Sequence, residues 1–110
     1  MTATEKATLI EQLMSDKKGI DIEKLDISKM TVIADYFVIC SGTSSTHVKG
    51  IVDEIEFKLK EAGIYFNRME GYDTAKWILI DYGDVVAHVF YEEDRQYYNL
   101  ERLWKSVPTI

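Results

Sequence analysis

One cysteine, one proline and two histidines occur among 110 residues. A lone Cys40 cannot close an internal disulfide, so no covalent staple is available to the fold. No signal-type N-terminus is visible either, and together these point to a reducing cytoplasm. With so little proline and 46% apolar residues, global disorder is not expected. No apolar run approaches the roughly 20 residues that span a bilayer, so no membrane helix is expected. Basic residues are also scarce: 13 Lys and Arg stand against 19 Asp and Glu, a net charge of −6. Phosphate backbones are gripped by clustered Lys and Arg, and no such block exists, which argues against direct nucleic-acid binding.

What is present suits one domain spanning residues 1–110. A chain of this size buries about two-thirds of its unfolded surface, enough for a core without metals or disulfides. Its acidic balance keeps it soluble and would draw it toward a basic partner. Cys40 lies in an apolar run and reads as a small buried hydrophobe rather than a reactive thiol.

Hydrophobic periodicity divides the chain into eight elements. Residues 2–17 carry Ala3, Ala7, Ile10 and Met14 on one helical stripe, with Thr4 as N-cap and Gly19 as stop. Residues 20–27 read as a strand whose apolar phase changes near Lys24, as a bulge there would produce. Asp35-Tyr36-Phe37-Val38-Ile39-Cys40 is a strand covered on both faces. Residues 45–62 form the clearest helix, with Val48, Ile51, Val52, Ile55, Leu59 and Ala62 on one stripe, a Ser44 or Ser45 cap and Gly63 at the end. Residues 64–69 return as a strand expected to lie parallel to the strand ending at Cys40. Trp77 to Asp81 and Val85 to Phe90 flank Tyr82-Gly83-Asp84 as a tight hairpin. A last helix over 94–105 presents Leu100, Leu103, Trp104 and Val107. The fold class is therefore α/β, a mixed five-stranded sheet with packed helices.

The chemistry-bearing candidates are few. Ser41-Gly42-Thr43-Ser44-Ser45 precedes a helix N-terminus, where free amides favour anions. It matches no standard phosphate-loop pattern, and a capped turn is the plain alternative. Nucleotidyltransferases follow such a loop with two carboxylates one residue apart on a neighbouring strand, to hold the metal. Ile64-Tyr65-Phe66-Asn67-Arg68-Met69 contains no such pair. His47 sits in a helix's first turn, and His88 shares a strand face with Val86 and Phe90; two isolated histidines make a poor metal site. Trp77, Leu79 and Asp81 share one strand face, an aromatic beside a carboxylate, as interfaces often have. The plain alternative is that Trp77 belongs to the core.

Taken together, the runs Ala34-Asp35-Tyr36-Phe37-Val38-Ile39-Cys40-Ser41-Gly42-Thr43-Ser44-Ser45, His47-Val48, Glu70-Gly71, and Trp77-Ile78-Leu79-Ile80-Asp81-Tyr82-Gly83-Asp84-Val85-Val86 with His88-Val89-Phe90 resemble the ribosomal silencing factor, or Iojap-like, family. Arg95, Tyr98, Leu100-Glu101 and Leu103-Trp104 extend the likeness. The resemblance implies a degenerate nucleotidyltransferase-like fold with no catalytic residue, cofactor or metal. It implies binding to large-subunit ribosomal protein fourteen, a steric block to small-subunit joining when nutrients are limiting, a homodimer when free, and no DNA or membrane partner. The partner-binding residues expected on that basis are Glu70, Trp77, Leu79, Asp81 and Tyr98. The competing readings are a nucleotide-binding enzyme using the Ser41-to-Ser45 loop, and an assembly scaffold acting through the homodimer.

Overall fold

A computed structural model describes residues 1–98, with side chains through Arg95. The elements run α1 (Ala3–Asp16), β1 (Ile20–Asp26), β2 (Tyr36–Gly42), α2 (Ser45–Glu61), β3 (Arg68–Glu70), β4 (Trp77–Asp81), β5 (Val85–Tyr91) and α3 (Glu92–Tyr98). The stripe expected from Leu100 to Val107 lies outside the described residues.

The sheet order is β1-β2-β5-β4-β3. β2 and β5 are buried along nearly their whole lengths. Strands apolar on both faces belong in the middle, and these two pair there in parallel, with Ile39 opposite His88. β1, β4 and β3 extend the sheet through antiparallel pairs. The parallel neighbour of β2 is thus β5 and not the strand that follows α2, as the sequence had suggested. That strand is also shorter than residues 64–69, and it pairs with β4 at the far edge. Arg68 and Glu70, both exposed, suit an edge position; the slot beside β2 needs the apolar residues that β5 supplies.

α1 and α2 cover one face of the sheet. Ile10, Met14, Val48, Ile51, Ile55 and Leu59 meet Val38, Cys40, Ile78, Ile80, Ala87 and Val89 in one core cluster. Burying each such aliphatic side chain contributes about 1.5–3 kcal/mol. The opposite face carries a second cluster, Ile27, Ala34, Phe37, Ile39, Val86 and Phe90, with Leu25, Trp77 and Leu79 packed against it. This explains the phase change in β1. Ile22 packs on the helix-side cluster and Leu25 on the other, so both faces want apolar residues without a bulge at Lys24. The register shift lies earlier, between Ile20 and Glu23, where Asp21 has φ 51°.

Local chemistry sets the helix ends. Thr2, not Thr4, caps α1: its hydroxyl accepts from the Glu5 amide while the Glu5 carboxylate accepts from the Thr2 amide. At the other end Lys18 takes the left-handed conformation usually given to glycine, and the amides of Lys18 and Gly19 donate to the carbonyls of Ser15 and Met14. Gly19 serves a different need. A Cβ there would stand 3.1 Å from Cys40 Sγ, so glycine lets the α1 terminus lie against β2. Ser44 caps α2, and Gly63 follows it at φ 80°.

Candidate functional site

The Ser41-to-Ser45 loop is filled by its own neighbours. The Thr43 amide donates to His47 Nδ1 at 2.9 Å, and the His47 amide donates to Ser44 Oγ at 3.0 Å. His47 Nε2 donates to the Lys17 carbonyl at 2.8 Å, tying the end of α1 to the start of α2. Buried Ser41 accepts from the Arg95 guanidinium at 3.0 Å. Gly42 is required because a Cβ would fall 2.9 Å from Val48 Cγ2 and 3.0 Å from the Val48 amide nitrogen. The Thr43 and His47 amides are therefore engaged within the turn, by the His47 ring and the Ser44 hydroxyl. The strand beside the loop, β5, reads Val-Val-Ala-His-Val-Phe-Tyr and has no carboxylate either. Burial pushes the Cys40 thiol up to about 12, which makes it a poor nucleophile. His47→Ala is expected to lower stability by about 1–2 kcal/mol through two lost hydrogen bonds, measured by urea unfolding.

The sheet face opposite α1 and α2 gathers what the sequence singled out. Register places Glu70 beside Leu79, and Arg68 beside Asp81. Trp77, Leu79 and Asp81 point to this face while Ile78 and Ile80 point to the helices, as alternation predicts. The half-buried Trp77 ring stacks on Phe90, with centroids 5.2 Å apart. Its indole N–H donates to His88 Nδ1 at 3.0 Å. Arg68 contacts Glu70 at 3.0 Å and Asp81 at 3.5 Å, so the two carboxylates share one guanidinium. Asp81 also accepts from the Gly83 amide at 2.7 Å, which holds the hairpin turn. Glu70, Trp77, Leu79 and Asp81 thus form one patch. Tyr98 ends α3, and its side chain lies outside the described residues.

Arg68 and His88 are the members that sequence reasoning missed. Arg68 stands two residues before Glu70, so extending the strand to Glu70 would have put both on one face. His88 lies beneath Trp77, edge-on to Phe37 with centroids 4.6 Å apart, and it is 3% exposed. Accepting from Trp77 at Nδ1 leaves the proton on Nε2, which has no partner among the described residues. Burial pushes its pKa from 6.5 down to about 3. The folded protein therefore keeps His88 neutral while the unfolded chain protonates below about pH 6.5. Stability should fall with pH at up to about 1.4 kcal/mol per unit between those values. His88→Gln is expected to flatten the unfolding free energy against pH by about 2 kcal/mol between pH 7 and 5; parallel curves for both proteins would contradict this.

Among the described residues no cluster of His, Cys, Asp and Glu is placed to hold a metal, and no helix is long and apolar enough to cross a membrane. What the site offers is a rigid aromatic surface with a charged margin.

A family model described as "Ribosomal silencing factor during starvation" matches residues 1–110. The chain belongs to that family. The ribosomal silencing factor of Bacillus subtilis is 48% identical over 93 residues, covering 84% of this chain and 79% of that protein. Its counterpart in Halalkalibacterium halodurans is 43% identical over 110 residues, covering 100% and 94%. A crystal structure of a Chromobacterium violaceum protein matches with a TM-score of 0.93 at 36% identity, covering 100% of this chain and 92% of that one. The chain thus has the mixed α/β sheet expected of it, and its family is named for a regulatory action on the ribosome rather than for an enzymatic reaction.

Proposed function

We propose that this silencing factor binds large-subunit ribosomal protein fourteen through the Glu70, Trp77, Leu79 and Asp81 patch, with Tyr98 contributing, and so blocks joining of the small subunit. The observation that carries this reading is Trp77, a half-buried indole fixed by His88 on one side and Phe90 on the other. A large ring already locked in place loses little conformational freedom on docking, which is the behaviour of an interface anchor. The chain's charge of −6 complements a basic ribosomal protein and would speed encounter. A domain of this size can offer a standard interface of about 1,600 Å². Bound on the intersubunit side, it would repress translation by bulk alone, with no chemistry, in starved or stationary cells. When free it would form a homodimer.

Sedimentation tests this. Purified protein is expected to travel with large subunits and not with joined ribosomes. If excess protein leaves subunit joining unchanged in vitro, the reading fails.

A further inference from the structure

The half of the sheet that carries Trp77 consists of β3, β4 and β5, and these strands hold one Lys or Arg between them, Arg68. Alternation sets its direction. Met69 packs on the helix-side cluster, so Arg68 and Glu70 point the other way, toward the Trp77 face. Arg68 Nη1 lies 3.0 Å from Glu70 Oε2, and Arg68 Nε lies 3.5 Å from Asp81 Oδ2. The second Asp81 oxygen, Oδ1, accepts from the Gly83 amide. Both carboxylates at the margin of the face therefore already have a cation. The planar guanidinium fork suits that double role better than a point charge would.

This arrangement works against indiscriminate docking. A chain of charge −6 is attracted to basic surfaces of every kind. Specificity is a difference of affinities, and it rises when the wrong partner meets a cost. With Arg68 in place the margin presents one negative charge, where two bare carboxylates would present two. A foreign Lys or Arg reaches both Glu70 and Asp81 only by turning Arg68 out. The Arg68 and Glu70 side chains are 62% and 59% exposed, so the exchange needs little desolvation and each contact is weak by itself. β3 is the edge strand, which leaves Arg68 open solvent to turn into.

We propose that Arg68 is a specificity residue of the docking face, holding Glu70 and Asp81 until a Lys or Arg of a partner seated on Trp77 and Leu79 displaces it. This rests on the reading of the Trp77 patch as the ribosome-binding surface. A partner that covers the indole offsets the exchange with apolar contact. A basic surface without that fit meets the exchange alone and is rejected.

Calorimetry with tetralysine at low salt tests the exchange without any ribosome. Arg68→Gln is expected to bind tetralysine about three- to tenfold more tightly than the parent. Adding Glu70→Gln and Asp81→Asn should abolish the gain. Lys60→Gln, at an exposed position of α2 on the other side of the sheet, changes the net charge equally and should stay near the parent. No gain for Arg68→Gln overturns the proposal, and so does an equal gain for Lys60→Gln. Pelleting with purified subunits then reads specificity. Arg68→Gln should bind large subunits more tightly and gain still more toward small subunits, narrowing the preference by about threefold. Weaker binding of Arg68→Gln to large subunits would mean that Arg68 itself holds the partner, which also overturns the proposal. The exposed edge position predicts that cooperative melting survives the substitution. If the parent does not pellet with large subunits, the silencing reading fails, while the tetralysine result still upholds or overturns the exchange at Arg68.

Discussion

Gly71→Ala is expected to cost about 3 kcal/mol or more of folding stability, roughly 10–20 °C in melting temperature for a domain this size. Gly71 follows β3 at φ 83°, in the region that disfavours any side chain. The second cause is heavier. A Cβ at this position would overlap the carbonyl oxygen of Trp77, a backbone atom that cannot rotate aside. The turn is further fixed by the Ala75 amide donating to the Gly71 carbonyl at 3.0 Å, and Ala75 itself has φ 55°. Relieving the clash means moving either β3 or the start of β4. Either movement separates Glu70 from Leu79 and tilts Trp77. The variant should therefore lose stability and ribosome binding together, whereas a surface loop glycine would lose neither. Urea unfolding checks the first effect, and a change below about 1 kcal/mol would count against it.

Trp77→Ala is expected to weaken binding to large subunits by about 2–4 kcal/mol, roughly 30- to 1,000-fold, the range of an interface anchor. The comparison with Trp77→Phe separates anchoring from packing. Phenylalanine keeps the ring stack on Phe90 and removes the N–H that reaches His88. It should keep a cooperative melting transition at a cost of about 1–3 kcal/mol, because buried His88 Nδ1 loses its donor, and bind with an intermediate loss. Should Trp77→Ala abolish the melting transition, Trp77 is core and the anchor must be sought elsewhere on the face. Should both variants bind like the parent with intact melting, the proposed interface is wrong. Quantitative pelleting with purified large subunits distinguishes these outcomes.

Much of this architecture was legible from local pattern. The 3.6-residue stripe from Val48 to Leu59 and the uninterrupted apolar run of β2 each describe a burial environment that neighbouring residues impose on one another. Period-two alternation put Trp77, Leu79 and Asp81 on one face before any strand partner was known. The Tyr82-Gly83-Asp84 turn followed from its residue types, and Gly83 has φ 89°. All these rest on contacts within a few residues, which short-range sterics and alternation fully specify.

Long-range placement was not legible. Periodicity cannot say which strand lies beside β2, because β5 is over forty residues away in the chain and β3 follows α2 more directly. The choice went to β5 because burial on both faces costs its apolar residues nothing, whereas Arg68 and Glu70 would have to be desolvated. The same holds for the loop after β2, whose residues fit a phosphate cradle until His47 reaches the Lys17 carbonyl thirty residues earlier. His88 looked like one histidine in an apolar strand; only the hairpin brings the Trp77 indole to its ring. The sequence by itself thus determined most of the elements, their buried faces and the family, though not the extent of β3. The tertiary structure alone decided strand order, the use of the loop amides and the support beneath Trp77, since each depends on groups brought together by burial rather than by adjacency.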